Sequence, residues 1–144
     1  MRKALLAFSF LMLSMTAAFA QPKPMDLTGV YQYEGNLRNA TVSKLEIKSI
    51  KGQYHIHVWF YGRPEDVDWG EVPATEYQRT GFSPRTRDLM ALLQHGDSKA
   101  TVIVRVNNGA EKASSITAQS WVTYAHPDER HPNEVADDML NAKK

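Results

Sequence analysis

The sequence predicts an all-β protein, an antiparallel up-and-down meander of seven to eight strands that closes into a small barrel. Hydrophobic and polar residues alternate over most of the chain, and a period of two is typical of strands that bury one face. Short turns that contain glycine, such as Lys51-Gly52, separate these runs, as tight hairpins require. Closure into a barrel removes the exposed edges of so long a meander. A two-sheet β-sandwich is the alternative.

The alternating runs predict strands at 26–34, 42–50, 53–61, 67–78, 87–95, 99–107 and 114–125. The run 53–61 shows the alternation most clearly, with a predicted core row of Tyr54, Ile56, Val58 and Phe60. The opposite face of this run carries His55, His57, Trp59 and Tyr61. Because a register shift of one residue exchanges the two faces, the sequence leaves open whether the histidines face solvent or a pocket.

The segment 131–144 departs from the period of two and predicts a short C-terminal helix. Asn133 is a suitable N-cap, acidic residues follow it, and lysines end the segment, which complements a helix dipole. Val135 and Met139 are four residues apart and would share one helix face. So short a helix is marginal alone, and we expect it to pack on the barrel or to fray.

The first 20 residues predict a secretory signal peptide. Arg2 and Lys3 precede an apolar run, and Ala18-Phe19-Ala20 forms the small-x-small pattern of a cleavage site. The run is too short for a transmembrane helix, which takes about 20 apolar residues. We therefore expect cleavage near Ala20, a secreted or periplasmic location and no transmembrane segment in the mature chain. The predicted organisation is signal peptide 1–20, tether 21–25, β-barrel domain 26–130 and C-terminal helix or tail 131–144.

Composition excludes several classes of site and partner. The chain has no cysteine, which excludes a disulfide framework, a thiolate metal site and a cysteine nucleophile. Removal of Arg2 and Lys3 leaves 15 of the 17 basic residues against 16 acidic ones. A nearly neutral mature protein has no electrostatic basis for binding nucleic acid or an anionic membrane.

A metal site is one interpretation of the two histidines in the run 53–61. His55 and His57 would project from one face of a strand about 7 Å apart, and Glu46 on the neighbouring strand would be the third ligand for zinc or copper. The other interpretation is a solvated sheet face with cross-strand pairs. The turn after this strand offers Glu65, Asp66 and Asp68 as possible calcium ligands, but it lacks the loop pattern of a calcium site.

A ligand-binding rim is the second candidate site. Its aromatic candidates are Trp59, Tyr61, Trp69, Phe82 and Trp121, because apolar and aromatic side chains commonly line such barrels. Arg85 and Arg87 lie in a basic loop, 80–88, that would grip a carboxylate or phosphate group. The alternative is a solvated loop whose arginines pair with Asp88.

Two stretches resemble known families. The residues DLTGVY at 26–31 resemble the first strand of lipocalin and avidin-type barrels, where a Gly-x-aromatic step opens the barrel. The stretch 42–77 resembles small secreted proteins of unknown function with a His-x-Trp…His-Pro-x-Asp-Cys-Asp-Trp-Gly core, which is matched here at His57, Trp59, Pro64, Asp66, Asp68, Trp69 and Gly70. Gly62 and Val67 replace their cysteines and Arg63 replaces their histidine, so a disulfide is absent. The resemblance implies a secreted, barrel-like fold and brings no activity.

These observations favour a secreted or periplasmic, non-enzymatic binding protein for a small, partly apolar ligand or a protein partner. The sequence has no Gly-x-Ser-x-Gly elbow, no glycine-rich phosphate loop and no His-Glu-x-x-His helix. One alternative is a metal-binding protein that uses His55 and His57. The other is an envelope structural protein or inhibitor that acts by surface contact.

Overall fold

The computed structural model describes residues 22–38, 41–79, 81–83, 85–125 and 134–144. The predicted signal peptide, His126 and His131 lie outside the described residues. Across those described ranges, no helix is long and apolar enough to cross a membrane.

The described residues form an all-β structure of nine strands in one antiparallel sheet, which confirms the predicted fold class. The strands are β1 (Gly29–Tyr33), β2 (Val42–Ile50), β3 (Gln53–Phe60), β4 (Val67–Pro73), β5 (Thr75–Tyr77), β6 (Asp88–His95), β7 (Ser98–Gly109), β8 (Ala113–Thr123) and β9 (Glu134–Ala142). The predicted strand 42–50 matches β2 at both ends. The predicted strand 67–78 divides into β4 and β5 at Ala74.

The sheet curves into a nearly closed barrel. Each strand from β1 to β4 and from β5 to β8 pairs with the next, and β9 pairs with both β8 and β1. Since β4 and β5 are separated only by Ala74, they act as one continuous strand in an eight-membered meander. The ladder is interrupted between β4 and β6 in the described residues, where Pro73 has no N–H to donate.

The predicted C-terminal helix at 131–144 is wrong, because Glu134–Ala142 is strand β9. Its alternate residues Asp138 and Leu140 are buried, while Val135 and Met139 are exposed. The four-residue spacing of Val135 and Met139 thus reflects two steps of a period of two. The edge of β8 pairs with β9 from Glu134 to Asn141, and the edge of β1 pairs with the last three residues of β9. These backbone hydrogen bonds outweigh the weak preference of a short helix.

The predicted tether 21–25 also needs a correction at its end. Met25 is buried, and its backbone N–H donates to the Arg85 carbonyl oxygen at 2.8 Å. Asp26 forms an isolated parallel bridge with Lys112. The segment before β1 therefore packs across the end of the barrel instead of spanning open solvent.

The β2–β3 hairpin confirms the predicted turn and the predicted core row. Lys51 and Gly52 join the strands in a two-residue turn with φ values of 51° and 80°, which suits the right-handed twist of a hairpin. Ile56 and Val58 are fully buried and Phe60 is 4% exposed. The histidine face of β3 therefore lies on the outside of the barrel.

Side chains fill the barrel interior. The largest fully buried ones are Tyr31, Leu27, Leu45, Ile47, Ile56, Leu89, Ile116, Leu140, Val42, Val58, Val102 and Val104. The side chains that line an internal cavity large enough for water would have solvent-accessible surface. These residues have almost no solvent-accessible surface. This agrees with the width of an eight-membered barrel, which is just sufficient for side chains to meet.

Candidate binding surfaces

The outer surface of β2, β3 and β4 carries interlinked charged and aromatic side chains, hereafter the polar face. Its members are Lys44, Glu46, Lys48, His55, His57, Trp59, Asp68 and Glu71. The register sets the β2 side chains directly opposite those of β3, including Glu46 opposite His57. This arrangement confirms the cross-strand pairing that the sequence predicted for a solvated sheet face.

Trp59 is enclosed by its neighbours on the polar face. The His57 ring stacks on the indole with centroids 3.7 Å apart and planes 15° apart. Lys44 Nζ lies 3.8 Å from the centroid of the same indole, in a cation–π contact. These two contacts already occupy part of the indole surface on which a ligand would stack.

His57 pairs with a carboxylate from β4. His57 Nε2 and Asp68 Oδ1 lie 2.6 Å apart, and Asp68 Oδ1 also accepts a hydrogen bond from the Gly70 backbone N–H. Burial raises the pKa of Asp68, but the Gly70 N–H and the His57 and Lys44 charges outweigh this and lower it below its ordinary value. The pair fixes the orientation of the His57 ring.

A bulge at Gly70 brings a second carboxylate to the same face. Asp68 opposes Trp59, whereas Glu71, three residues later, opposes His57, two residues earlier on β3. The extra residue is accommodated by Gly70, whose φ of 84° is disfavoured for other residues. Without the bulge, the period of two would turn one of the two carboxylates inward.

Lys48 and Glu71 anchor the other end of the polar face. Lys48 Nζ donates to Glu71 Oε2 at 2.9 Å and lies 3.6 Å from Glu46 Oε2. The hydrogen bond with Glu71 raises the pKa of Lys48, and the same bond lowers the pKa of Glu71. His55 Nδ1 lies 3.9 Å from Glu71 Oε1. Each histidine therefore has a carboxylate neighbour on β4.

The predicted metal ligands His55, His57 and Glu46 share the polar face, but they do not converge on one point. In the ranges that the structure describes, no three His, Asp or Glu side chains are placed to hold a metal ion. Glu46 contacts Lys48, and a lysine cation competes for the same oxygen. The geometry gives no basis for a zinc or copper centre here.

The predicted ligand-binding residues lie at different places on the barrel. In an antiparallel meander, successive turns lie at alternate ends, so the β3–β4 turn and the β5–β6 loop are at opposite ends. Tyr61 is at the first end, where the Arg63 Nε donates to its hydroxyl oxygen at 2.7 Å. Trp69 is buried there, packed against Phe60 and His95 with centroids 5.0 and 5.4 Å away.

The basic loop at the other end uses its arginines within the protein. Arg79 Nε forms an ion pair with the buried Asp88 at 2.8 Å, and Phe82 covers the Arg79 guanidinium at 3.9 Å. Arg87 Nε lies 3.6 Å from Glu76 Oε1. The loop therefore resembles the predicted alternative, in which its arginines pair with acidic residues of the protein instead of binding a ligand.

Arg85 lines a surface pocket of about 270 Å³. Its guanidinium donates to the backbone carbonyl oxygens of Lys23 and Ala110 at 3.3 and 3.0 Å, which fixes its position. The pocket is lined by Lys23, Pro24, Asp26, Arg85, Glu111 and Lys112. Three cations and two carboxylates give this lining a small positive excess.

The outer surface of β6 to β9 carries exposed and half-buried apolar side chains, hereafter the apolar face. Its members are Met90, Leu92, Ile103, Trp121, Val135 and Met139. Leu92, Val135 and Met139 are 66%, 65% and 61% exposed, and Trp121 is 37% exposed. The register aligns Leu92, Thr101, Trp121 and Val135 in one row across four neighbouring strands. Trp121 is thus the one predicted ligand-binding residue that lies on this face.

Sequence reasoning missed most of the apolar face. The sequence pattern places Val135 and Met139 in a predicted helix, and Leu92 belongs to the run DLMALLQH, which is apolar at both odd and even positions. A strand that is apolar on both faces normally has both faces covered. That pattern in β6 was the available signal of an outward apolar surface.

No protein family, no curated protein and no solved structure matches this chain. The resemblance to small secreted proteins around His57 and Trp69 therefore stays a prediction.

Proposed function

We propose that this chain is a secreted or periplasmic, non-enzymatic binding protein that binds a protein partner through the apolar face. One observation carries the proposal: Leu92, Trp121 and Val135 point outward in one row across β6 to β9, in which Thr101 lies between Leu92 and Trp121. Contiguous exposed apolar surface is rare on monomeric proteins and marks sites of interaction. A lipocalin or avidin-like barrel supplies a rigid support for such a face.

The energetics favour contact with a large partner. Complete burial of one large apolar side chain contributes about 1.5–3 kcal/mol, and several strongly exposed side chains on this face are available. Trp121 lies in the middle of the row, and tryptophan is enriched among the residues that dominate binding energy. The convex outer surface of β6 to β9 presents these side chains side by side, and a protein partner would need a surface complementary to that curvature.

The filled interior argues against the small-ligand form of this function inside the barrel. Tyr31, Leu45 and Ile116 are fully buried where a central ligand would lie. A binding role outside the barrel needs no rearrangement of these side chains. The polar face, whose charged groups pair with one another, provides the solvated side of the same molecule.

Site-specific photo-crosslinking in the organism that makes the protein tests this function. A photoreactive phenylalanine analogue at Leu92 or Val135 should give discrete adducts, and the additional substitution Trp121→Ser should abolish them. The analogue at His55, on the polar face, is the matched control and should give none. Absence of adducts at both apolar positions, or equal adducts at His55, would contradict the proposal.

A small anionic ligand in the Arg85 pocket is a second candidate function. The observation that favours it is the fixed guanidinium, which keeps further N–H groups for a carboxylate or phosphate oxygen. Inorganic phosphate titrated into the protein should shift the amide NMR signals of Glu111 and Lys112. The variant Arg85→Gln should abolish those shifts, and a lack of shifts at millimolar phosphate would remove this candidate.

A further inference from the structure

We propose that the partner of the apolar face is a second copy of this chain, so that two barrels pack sheet against sheet. This inference rests on the proposed function, because it names the occupant of the same surface. Its basis is an arrangement of two charges, Lys99 and Asp137, around Trp121.

The register places Trp121 midway between the two charges. Lys99 of β7 pairs with Thr123 of β8, and Asp137 of β9 pairs with Gln119 of β8. Trp121 lies between Thr123 and Gln119 on β8, and β8 lies between β7 and β9. Trp121 therefore sits at the midpoint of the line that joins Lys99 to Asp137.

This placement makes the face complementary to itself. A two-fold axis that passes through Trp121, in the plane of contact and perpendicular to that line, exchanges the two charged positions. It sets Lys99 over Asp137 of the partner subunit, and Asp137 over Lys99 of the partner subunit. An isologous interface repeats each contact twice, so the dimer gains two opposite-charge pairs.

The same operation places Trp121 against Trp121 of the partner subunit on the axis. With strands about 4.8 Å apart and alternate residues roughly 6.8 Å apart along a strand, the strands of the two sheets cross at about 70°. That angle falls near the orthogonal class of sheet packing.

The charges also distinguish a second copy from a lipid surface. Asp137 is exposed between Val135 and Met139 on β9, so an occupant must bring a cation to this position. Hydrocarbon would strip water from the carboxylate without compensation. Lys99 is exposed, and neither it nor Asp137 forms an ion pair within the described ranges. Both charges are therefore available for a partner.

Sedimentation equilibrium on the purified protein tests the inference with charge-reversal variants. Wild type should show a reversible monomer–dimer equilibrium. Lys99→Glu and Asp137→Lys should each weaken the dimer at least about tenfold, because each reversal creates two like-charge contacts. The double variant Lys99→Glu/Asp137→Lys should recover most of the affinity. Lys51→Glu, an exposed reversal in the β2–β3 turn, is the matched control and should change nothing.

The outcomes separate this inference from the proposed function. A wild type that stays monomeric at several hundred micromolar would overturn self-association, as would a double variant no better than the single ones. If the protein is monomeric but the Leu92 photo-crosslink joins it to a different protein, self-association is wrong and the proposed function stands. A Leu92 adduct of twice the monomer mass supports both.

Discussion

The carboxylate of Asp138 accepts a hydrogen bond from the backbone N–H of Val42 at 2.9 Å, although their strands β9 and β2 are not paired. The strand between them, β1, ends at Tyr33, whose partner on β9 is Leu140. Beyond that point no β1 backbone separates the two strands. The Asp138 side chain thus replaces a missing ladder hydrogen bond at the seam where the barrel closes.

Asp138 should give the stability a distinctive pH dependence. Burial raises the pKa of Asp138, the Val42 N–H lowers it in part, and the nearby Asp137 charge raises it further, so it lies above its ordinary value of 3.8. The folded state then holds a proton that the unfolded state has lost, so this group costs stability as pH rises from 3.8 through its raised pKa. Asp138→Asn keeps an acceptor for Val42 and should remove this loss.

Urea unfolding of both proteins between pH 3.5 and 7 measures the difference. The variant should equal or exceed the wild-type free energy of unfolding at pH 7, with the gap closing as pH falls. Asp68 and Glu71, whose pKa values are lowered, act in the opposite direction, since their stabilisation is lost as pH falls below their ordinary range. If the difference in unfolding free energy between the two proteins does not change with pH, the raised pKa of Asp138 is contradicted.

Gly70→Ala should destabilise the protein by about 1–2 kcal/mol, the cost of a left-handed conformation for a residue with a side chain. A Cβ at Gly70 meets nothing within 4 Å, so the cost is backbone strain and not collision. Gly70→Asn should recover much of the loss, because asparagine tolerates this conformation. Chemical denaturation measures both values, and equal losses for the two variants would argue against a strain mechanism.

Ser120→Ala should leave stability unchanged or raise it by up to about 1 kcal/mol. The Ser120 hydroxyl is fully buried and has no hydrogen-bond partner in the described part of the chain, so its removal relieves a desolvation cost. Ser43→Ala is the matched control. Ser43 donates to Asp66 Oδ2 at 2.7 Å, and its loss should cost roughly 1 kcal/mol. Thermal melts compare the two, and a clear loss for Ser120→Ala would reveal a partner for its hydroxyl.

Zinc and copper should not stabilise this protein through its histidines. His57 is paired with Asp68, and a third ligand does not converge with His55 and His57 in the described ranges. Ions that bind the folded state raise the melting midpoint, so wild type and His57→Ala should show equal shifts with either metal. A rise of several degrees in wild type that His57→Ala lacks would restore the metal hypothesis.

The proposed signal peptide predicts a mature chain that begins at Gln21. Cleavage after Ala20 follows from the small-x-small pattern at 18–20, and intact mass spectrometry of the extracytoplasmic fraction measures it. Ala18→Lys should leave the uncleaved precursor with the membrane. Recovery of the full 144-residue chain from that fraction would contradict a cleaved signal peptide.

Features encoded by neighbouring residues were predictable. The limits of β2 and the core row at Ile56 and Val58 follow from alternation within one run, and the Lys51-Gly52 turn follows from its own dihedral preferences. The pairing of Glu46 with His57 followed in turn, because a two-residue turn fixes the register.

Features that depend on a third strand were not predictable from the sequence. Residues 134–142 form a strand because they pair with the edges of β8 and β1, whereas their own composition predicts a helix. Asp68 and Glu71 reach the polar face only through the Gly70 bulge, which changes the parity of β4. The apolar face forms because the strand register aligns residues of β6, β8 and β9 in neighbouring rows. The sequence of one strand alone does not show this alignment.

The position of β9 in the sheet has a consequence for biosynthesis. Because β9 joins β8 to β1, residues 134–142 must leave the ribosome before the barrel can close. Until then, β1 and β8 both present unpaired edges, which are templates for aggregation. A chain that ends before residue 134 would leave the edges of both β1 and β8 unpaired. We expect cellular proteases to degrade such a chain.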